Sequence, residues 1–185
     1  MKKLYALAAL GLAFAATGMV AAAIGGSMWK TFGNGTYRVG RDVPPGTYRS
    51  RGSDGCYWAR LRSFSGNLNG IIANENAQGP TLVTIKRTDR GFESTNCSRW
   101  TSNLARITKS KTRFGRGKFI VRVDIAPGTY RSRGGSACYW ARLRSFTGDL
   151  HAIIANNVGG SRNIVTIQRT DRGFESRGCG TWSRF

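Results

Sequence analysis

Beyond residue 26, apolar positions alternate with polar ones or gather in short β-branched runs, and no 11-residue window carries a helical period. GTYRV at Gly35–Val39 is a short alternating run. PPGTYRSR, Pro44–Arg51, places a proline–glycine turn ahead of a strand, and Asp42 suits the same turn. CYWARLRSF, from Cys56, is long enough for a central strand, and GIIAN, Gly70–Asn74, reads as a short one. TLVTIKRTDRGFES reads as a hairpin: strand Leu82–Arg87, turn Asp89-Arg90-Gly91, strand Phe92–Ser94. SFSGNLNG has room for one helical turn. At strand period, CYWARLRSF sets Cys56, Trp58, Arg60, Arg62 and Phe64 on one side and Tyr57, Ala59 and Leu61 on the other.

The whole pattern occurs twice. Asp42–Trp100 aligns with Asp124–Trp182 at a constant offset of 82, without a gap, and 37 of 59 positions are identical. The chain is therefore two copies of one small domain. We read residues 33–100 as the first β repeat, 101–113 as a basic linker and 114–185 as the second. The linker's composition suits a flexible connector as far as Thr112, and from Phe114 the chain matches the GNGTYRV lead-in of the first copy. Short strands separated by turn signals predict an all-β fold, a sandwich or a partly closed barrel in each copy.

Each copy holds one cysteine in CYW and another 41 residues later. The simplest pairing is Cys56–Cys97 and Cys138–Cys179, one bridge per domain, with a cross-domain bridge as the alternative. Closing a loop of that size stabilises a domain by about 3–4 kcal/mol in the chain-entropy model.

Bridged cysteines fit an exported chain, and residues 1–23 read as a signal peptide: two lysines, a long apolar stretch, then Ala21-Ala22-Ala23 as the cleavage site. The apolar stretch is also long enough for an uncleaved anchor. With cleavage at Ala23 no transmembrane segment is expected. The first cysteine, Cys56, lies far beyond any lipid-attachment position.

The formal charge of +20 suggests an anionic partner, but its distribution is uneven. Asp42–Trp100 carries +3, Asp124–Trp182 carries +4, and residues 101–123 carry +7 with no acid. The connector is thus the most cationic part.

The order G-x-G-x-[YF]-x-V, D-[VI]-x-P-G-T-Y-R, C-Y-W-A-R-L, I-I-A-N, V-T-I, F-E-S, C-x-x-W covers nearly the whole chain after its leader, twice. It resembles a small repeat domain of exported and lipoprotein-type bacterial proteins, chiefly actinobacterial, without an established activity. The resemblance implies an extracytoplasmic β domain. The chain departs from it in lacking the lipobox cysteine.

Chemistry narrows the functions. There is one histidine, His151, opposite Asn69 in the other copy, so neither a zinc site nor a serine triad is expected, and no cofactor. Asp89 and Glu93, with Asp171 and Glu175, could act as paired carboxylates. An aspartate capping its own turn and an ion pair with arginine explain them as well. The candidate binding residues are the ladder Trp58, Arg60, Arg62 and its copy Trp140, Arg142, Arg144. One reading is a platform where tryptophan stacks on a sugar ring and arginine grips an anion. The other is a buried tryptophan beside the disulfide, covered by arginine stems that pair with Asp89 or Glu93. Asn74 and Asn156 are either turn residues or polar ligands.

We therefore expect an exported, non-enzymatic tandem β-domain protein: an envelope or extracellular binding module for a glycan, an anionic polymer or a protein. The alternative is polyanion binding through the linker and the arginine-rich strands, with nucleic acid bound only weakly and non-specifically.

Overall fold

Turn residues and β-branched runs set the strand ends, and each copy becomes eight strands. The computed structural model describes residues 29–185, so the expected signal peptide lies outside the described residues. The first repeat contains β1 (Thr31–Phe32), β2 (Gly35–Arg38), β3 (Gly46–Ser50), β4 (Cys56–Leu61), β5 (Ile71–Ala77), β6 (Thr81–Ile85), β7 (Gly91–Thr95) and β8 (Trp100–Thr101). The second repeats the series as β9 (Arg113–Phe114), β10 (Gly117–Ile120), β11 (Gly128–Ser132), β12 (Tyr139–Leu143), β13 (Ile153–Val158), β14 (Asn163–Ile167), β15 (Gly173–Arg177) and β16 (Trp182–Arg184).

Each repeat is a sandwich of two four-stranded sheets, ordered β1-β8-β3-β6 and β2-β7-β4-β5, with β9-β16-β11-β14 and β10-β15-β12-β13 as the counterparts. The strands pair antiparallel throughout. Aromatic residues of both sheets fill the interior: Tyr48, Trp58, Phe92 and Trp100 in the first repeat, Phe114, Tyr130, Phe174 and Trp182 in the second. Tyr48 and Tyr130 anchor the turns before their strands by donating to the carbonyls of Pro44 and Ala126. Burial raises the pKa of both phenols. The bridges are Cys56–Cys97 and Cys138–Cys179, one inside each sandwich. A short 3-10 turn, Leu68–Gly70 and Leu150–Ala152, leads into β5 and β13.

Two local expectations fail. The run TLVTIKRTDRGFES is not a hairpin, because β6 pairs with β3 whereas β7 pairs with β2 and β4. The Asp89 turn carries the chain from one sheet to the other. Its carboxylate accepts from the Lys86 backbone N–H at 2.7 Å and from Arg60, which fixes the crossover. The second failure is strand length: β4 stops at Leu61, after a register shift between Arg60 and Leu61. Strict alternation therefore ends before Arg62 and Phe64, and Phe64 is exposed.

The repeats stack head to tail. A third apolar cluster joins Leu82 of β6 to Ala141, Leu143 and Phe146, with Ile120 and Leu104 against it. The Thr84 N–H donates to the Phe146 carbonyl at 2.8 Å, and the Lys118 N–H donates to the Pro80 carbonyl at 2.6 Å. Lys118 is buried between Glu75 at 2.6 Å and Glu175 at 3.6 Å. Burial alone would lower its pKa; the two carboxylates outweigh that and raise it.

The connector does not swing free as its composition suggested. Leu104 joins the shared cluster, the Ala105 carbonyl accepts from Arg49 at 2.5 Å, and the Ile107 N–H donates to Asp124 at 3.1 Å. Asp124 also pairs with Arg49 across the repeats, with both side chains buried. Basic, acid-poor sequence is held here by backbone hydrogen bonds and one leucine.

Candidate functional site

The signature strand faces inward. Trp58 has no exposed surface, stacks on Phe92 at 6.4 Å and donates to Thr81 at 3.3 Å. Arg60 is as deeply buried. It makes a two-pronged pair with Asp89, at 2.7 and 2.8 Å, and donates to the Thr147 carbonyl of the other repeat at 2.6 Å. Neither residue presents a surface to a ligand. The cation over the Trp58 ring is Lys118, 5.5 Å from its centroid, rather than a neighbouring arginine. Arg62 is exposed and reaches back to the Ile71 carbonyl.

The second copy is more open. Trp140 is half-buried and donates to Asn163 at 3.1 Å. Arg142 pairs with Asp171 at 2.7 and 3.0 Å, and those hydrogen bonds raise its pKa. Arg144 is exposed. The ladder thus separates into two inward residues and one outward residue per repeat, and no continuous platform forms.

The carboxylates and the histidine are placed as follows. Asp89 and Asp171 are buried under their arginines. Glu175 is held by Lys118 and by Arg177 at 2.8 Å. His151 is exposed on its 3-10 turn. Among the described residues no three His, Cys, Asp or Glu side chains gather to hold a metal. Asn74 and Asn156 both lie in strands; Asn74 donates to Tyr57 at 3.4 Å.

A site emerges from the outer face of the β9-β16-β11-β14 sheet. In YRSR the tyrosine points into the core, so Arg131 and Arg133 fall on the outside. With Arg113 and Arg162 they line an open groove of about 1080 Å³, and none of the residues lining it is acidic. The groove floor carries Ile164, 62% exposed, directly across from Arg131 in the ladder. Ser132 also lines it, and its buried hydroxyl has no hydrogen-bond partner among the described residues. Arg131 lies over the Phe185 ring at 5.6 Å.

The equivalent face of the first repeat is partly filled. Leu82, the counterpart of Ile164, is fully buried by the second repeat. Arg49, the counterpart of Arg131, is neutralised by Asp124 and capped by the connector. Ser50, the counterpart of Ser132, donates to the Ser98 carbonyl at 2.8 Å. The remaining groove there is about 400 Å³, is lined by Arg49, Arg51, Arg99 and the connector's Arg106 without an acid, and includes connector residues Asn103, Ala105 and Ile107. The same surface is thus joint in one repeat and open in the other.

Sequence reasoning missed Arg113, Arg131, Arg133 and Arg162, since CYWARLRSF and YRSR each carry two alternating arginines and the letters alone do not rank one pair above the other. The alternation in YRSR was a usable signal. Knowing which copy leaves its face open required the stacking.

The uncharacterized proteins Rv1352 of Mycobacterium tuberculosis and Mb1387 of Mycobacterium bovis are both similar to this chain. Each is 28% identical over 82 residues, covering 37% of this chain and 67% of the relative. No solved structure matches. The Rv1352-like extracellular domain matches twice, at residues 30–101 and 111–183, each match spanning one sandwich with its disulfide. Two tandem copies of that domain make up the described structure, and the chain belongs to the Rv1352-like extracellular domain family.

Proposed function

We propose that this extracytoplasmic protein is a non-enzymatic binding module whose second repeat takes an anionic ligand in the groove of Arg113, Arg131, Arg133 and Arg162. One observation carries the reading: four arginines line an open groove of about 1080 Å³ with no carboxylate, whereas the first repeat's groove of Arg49, Arg51, Arg99 and Arg106 holds about 400 Å³ and has Arg49 neutralised by Asp124. The ligand class is an acidic polymer of the envelope or its surroundings. Guanidinium groups grip carboxylate or phosphate in two-pronged fashion, and Ile164 offers an apolar strip beside them. The reading is non-enzymatic because three of the four candidate acids, Asp89, Asp171 and Glu175, are held in structural ion pairs. Exposed basic residues of the connector, Arg106 and Lys109 among them, add long-range attraction.

The test is affinity for a defined polyanion, such as polyphosphate, across a salt series. Affinity should fall steeply with salt. Arg131→Ala with Arg133→Ala should weaken binding by about tenfold or more, equivalent to about 1.4 kcal/mol. Arg62→Ala with Arg144→Ala should leave it nearly unchanged. Equal losses in both variants would reduce the effect to bulk charge.

A further inference from the structure

We propose that the stacking joint between the repeats is chemically coded, and that the code is broken at both free ends, so the chain stacks within itself and not with its copies. The joint is heterologous: the outer β10-β15-β12-β13 sheet of the second repeat covers the β6 side of the first. Such a joint has no built-in end. The second repeat still has a β14 side, and the first still has an outer β2-β7-β4-β5 sheet. A second copy could in principle continue the stack.

Much of the joint's shape is kept at those ends. Phe64, the counterpart of Phe146, is 48% exposed, and Ile164 is 62% exposed where Leu82 is buried. Arg131 and Asp42 match the Arg49–Asp124 pair.

Four changes remove the fit. Lys118, buried against Glu75 at 2.6 Å, is Thr36 in the first repeat, and Glu75 is Asn157 in the second, so both halves of the central ion pair are missing. Ile120, which packs on the shared cluster, is Arg38, a charge that stacking would bury without a partner. Thr81, which links Trp58 to Glu75, is Asn163. Asn163 accepts from Trp140 and from Asn157, each at 3.1 Å, and donates to the Gly159 and Gly160 carbonyls, each at 3.2 Å. The open side of the second sandwich is therefore closed by its own amides. Polar closure of terminal units is what keeps stacked repeats soluble.

The test restores the code one end at a time. One full-length variant carries Thr36→Lys with Arg38→Ile; the other carries Asn157→Glu with Asn163→Thr. Sedimentation velocity should show one-chain particles for the wild type and for each variant alone. The equimolar mixture should double in mass and stop at two chains, because each partner retains one closed end. A chain carrying all four changes should form longer species as concentration rises. Thr36, Arg38 and Asn157 are exposed, so the folds should hold. If Asn163→Thr disturbs folding, Asn157→Glu alone takes its place in the mixture. Self-association of the wild type would overturn the proposal. So would a mixture of folded variants that stays at one-chain mass.

Discussion

Arg60 and Arg142 hold the same aspartate geometry in different surroundings. Arg60 and Asp89 are buried, whereas the Arg142 side chain keeps 15% of its surface. Removing one partner of a buried pair strands the other charge and costs about 3–5 kcal/mol. We therefore expect Arg60→Met to destabilise the protein by about 3 kcal/mol or more in denaturant unfolding, and Arg142→Met by less. Arg62→Ala and Arg144→Ala, at exposed positions, should stay within about 0.5 kcal/mol of wild type. Lys118 gives a pH signature. Its folded pKa lies above the ordinary lysine value of 10.5, so its contribution is complete below that value and disappears as pH rises through the folded one. Wild-type stability should fall more steeply than that of Lys118→Met in alkaline unfolding curves; parallel curves would show that the ion pair does not hold the joint.

At the scale of elements, the joint can be tested with two equivalent glycines. Gly66 and Gly148 have nearly the same left-handed φ, +72° and +76°, so a side chain strains both backbones alike. A Cβ on Gly66 meets nothing within 4 Å, but one on Gly148 would lie 2.5 Å from the Trp58 ring. Gly148→Ala should lower the melting temperature more than Gly66→Ala, and the difference measures the joint. Equal shifts would place the joint's strength elsewhere. These elements also mark how far the sequence could be read. The constant 82-residue offset made the duplication and the simplest cysteine pairing legible, and short strand runs between turn signals made the all-β class legible. Cys56 and Trp58 share a side of the strand and are both buried, as the second of the two readings of Trp58 had it, while Phe64 on the same side is exposed. The crossover at Asp89 was hidden because a turn looks the same whether the next strand joins its own sheet or the facing one. The differences at Thr36/Lys118 and Glu75/Asn157 are plain in the two copies, but they gain meaning only when stacking brings Lys118 to Glu75. The binding groove was concealed by the repeat itself: Arg49 and Arg131 are the same letter in the same motif, and only the fold buries one of them.

For the whole molecule, duplication has divided the work. The first repeat uses its β1-β8-β3-β6 sheet as a seat for the second, and the second leaves its matching β9-β16-β11-β14 sheet open to solvent. The +20 charge is then less uniform than it appears, since Lys118, Arg49 and Arg60 are neutralised inside while four arginines converge on one groove. The most direct test of this asymmetry is amide hydrogen exchange of the wild-type protein with and without polyphosphate at moderate salt. Protection confined to β11, β14 and β16, with β3, β6 and β8 unchanged, is the result the account predicts. Protection spread equally over both repeats, or limited to the connector residues Arg106–Lys111, would contradict it.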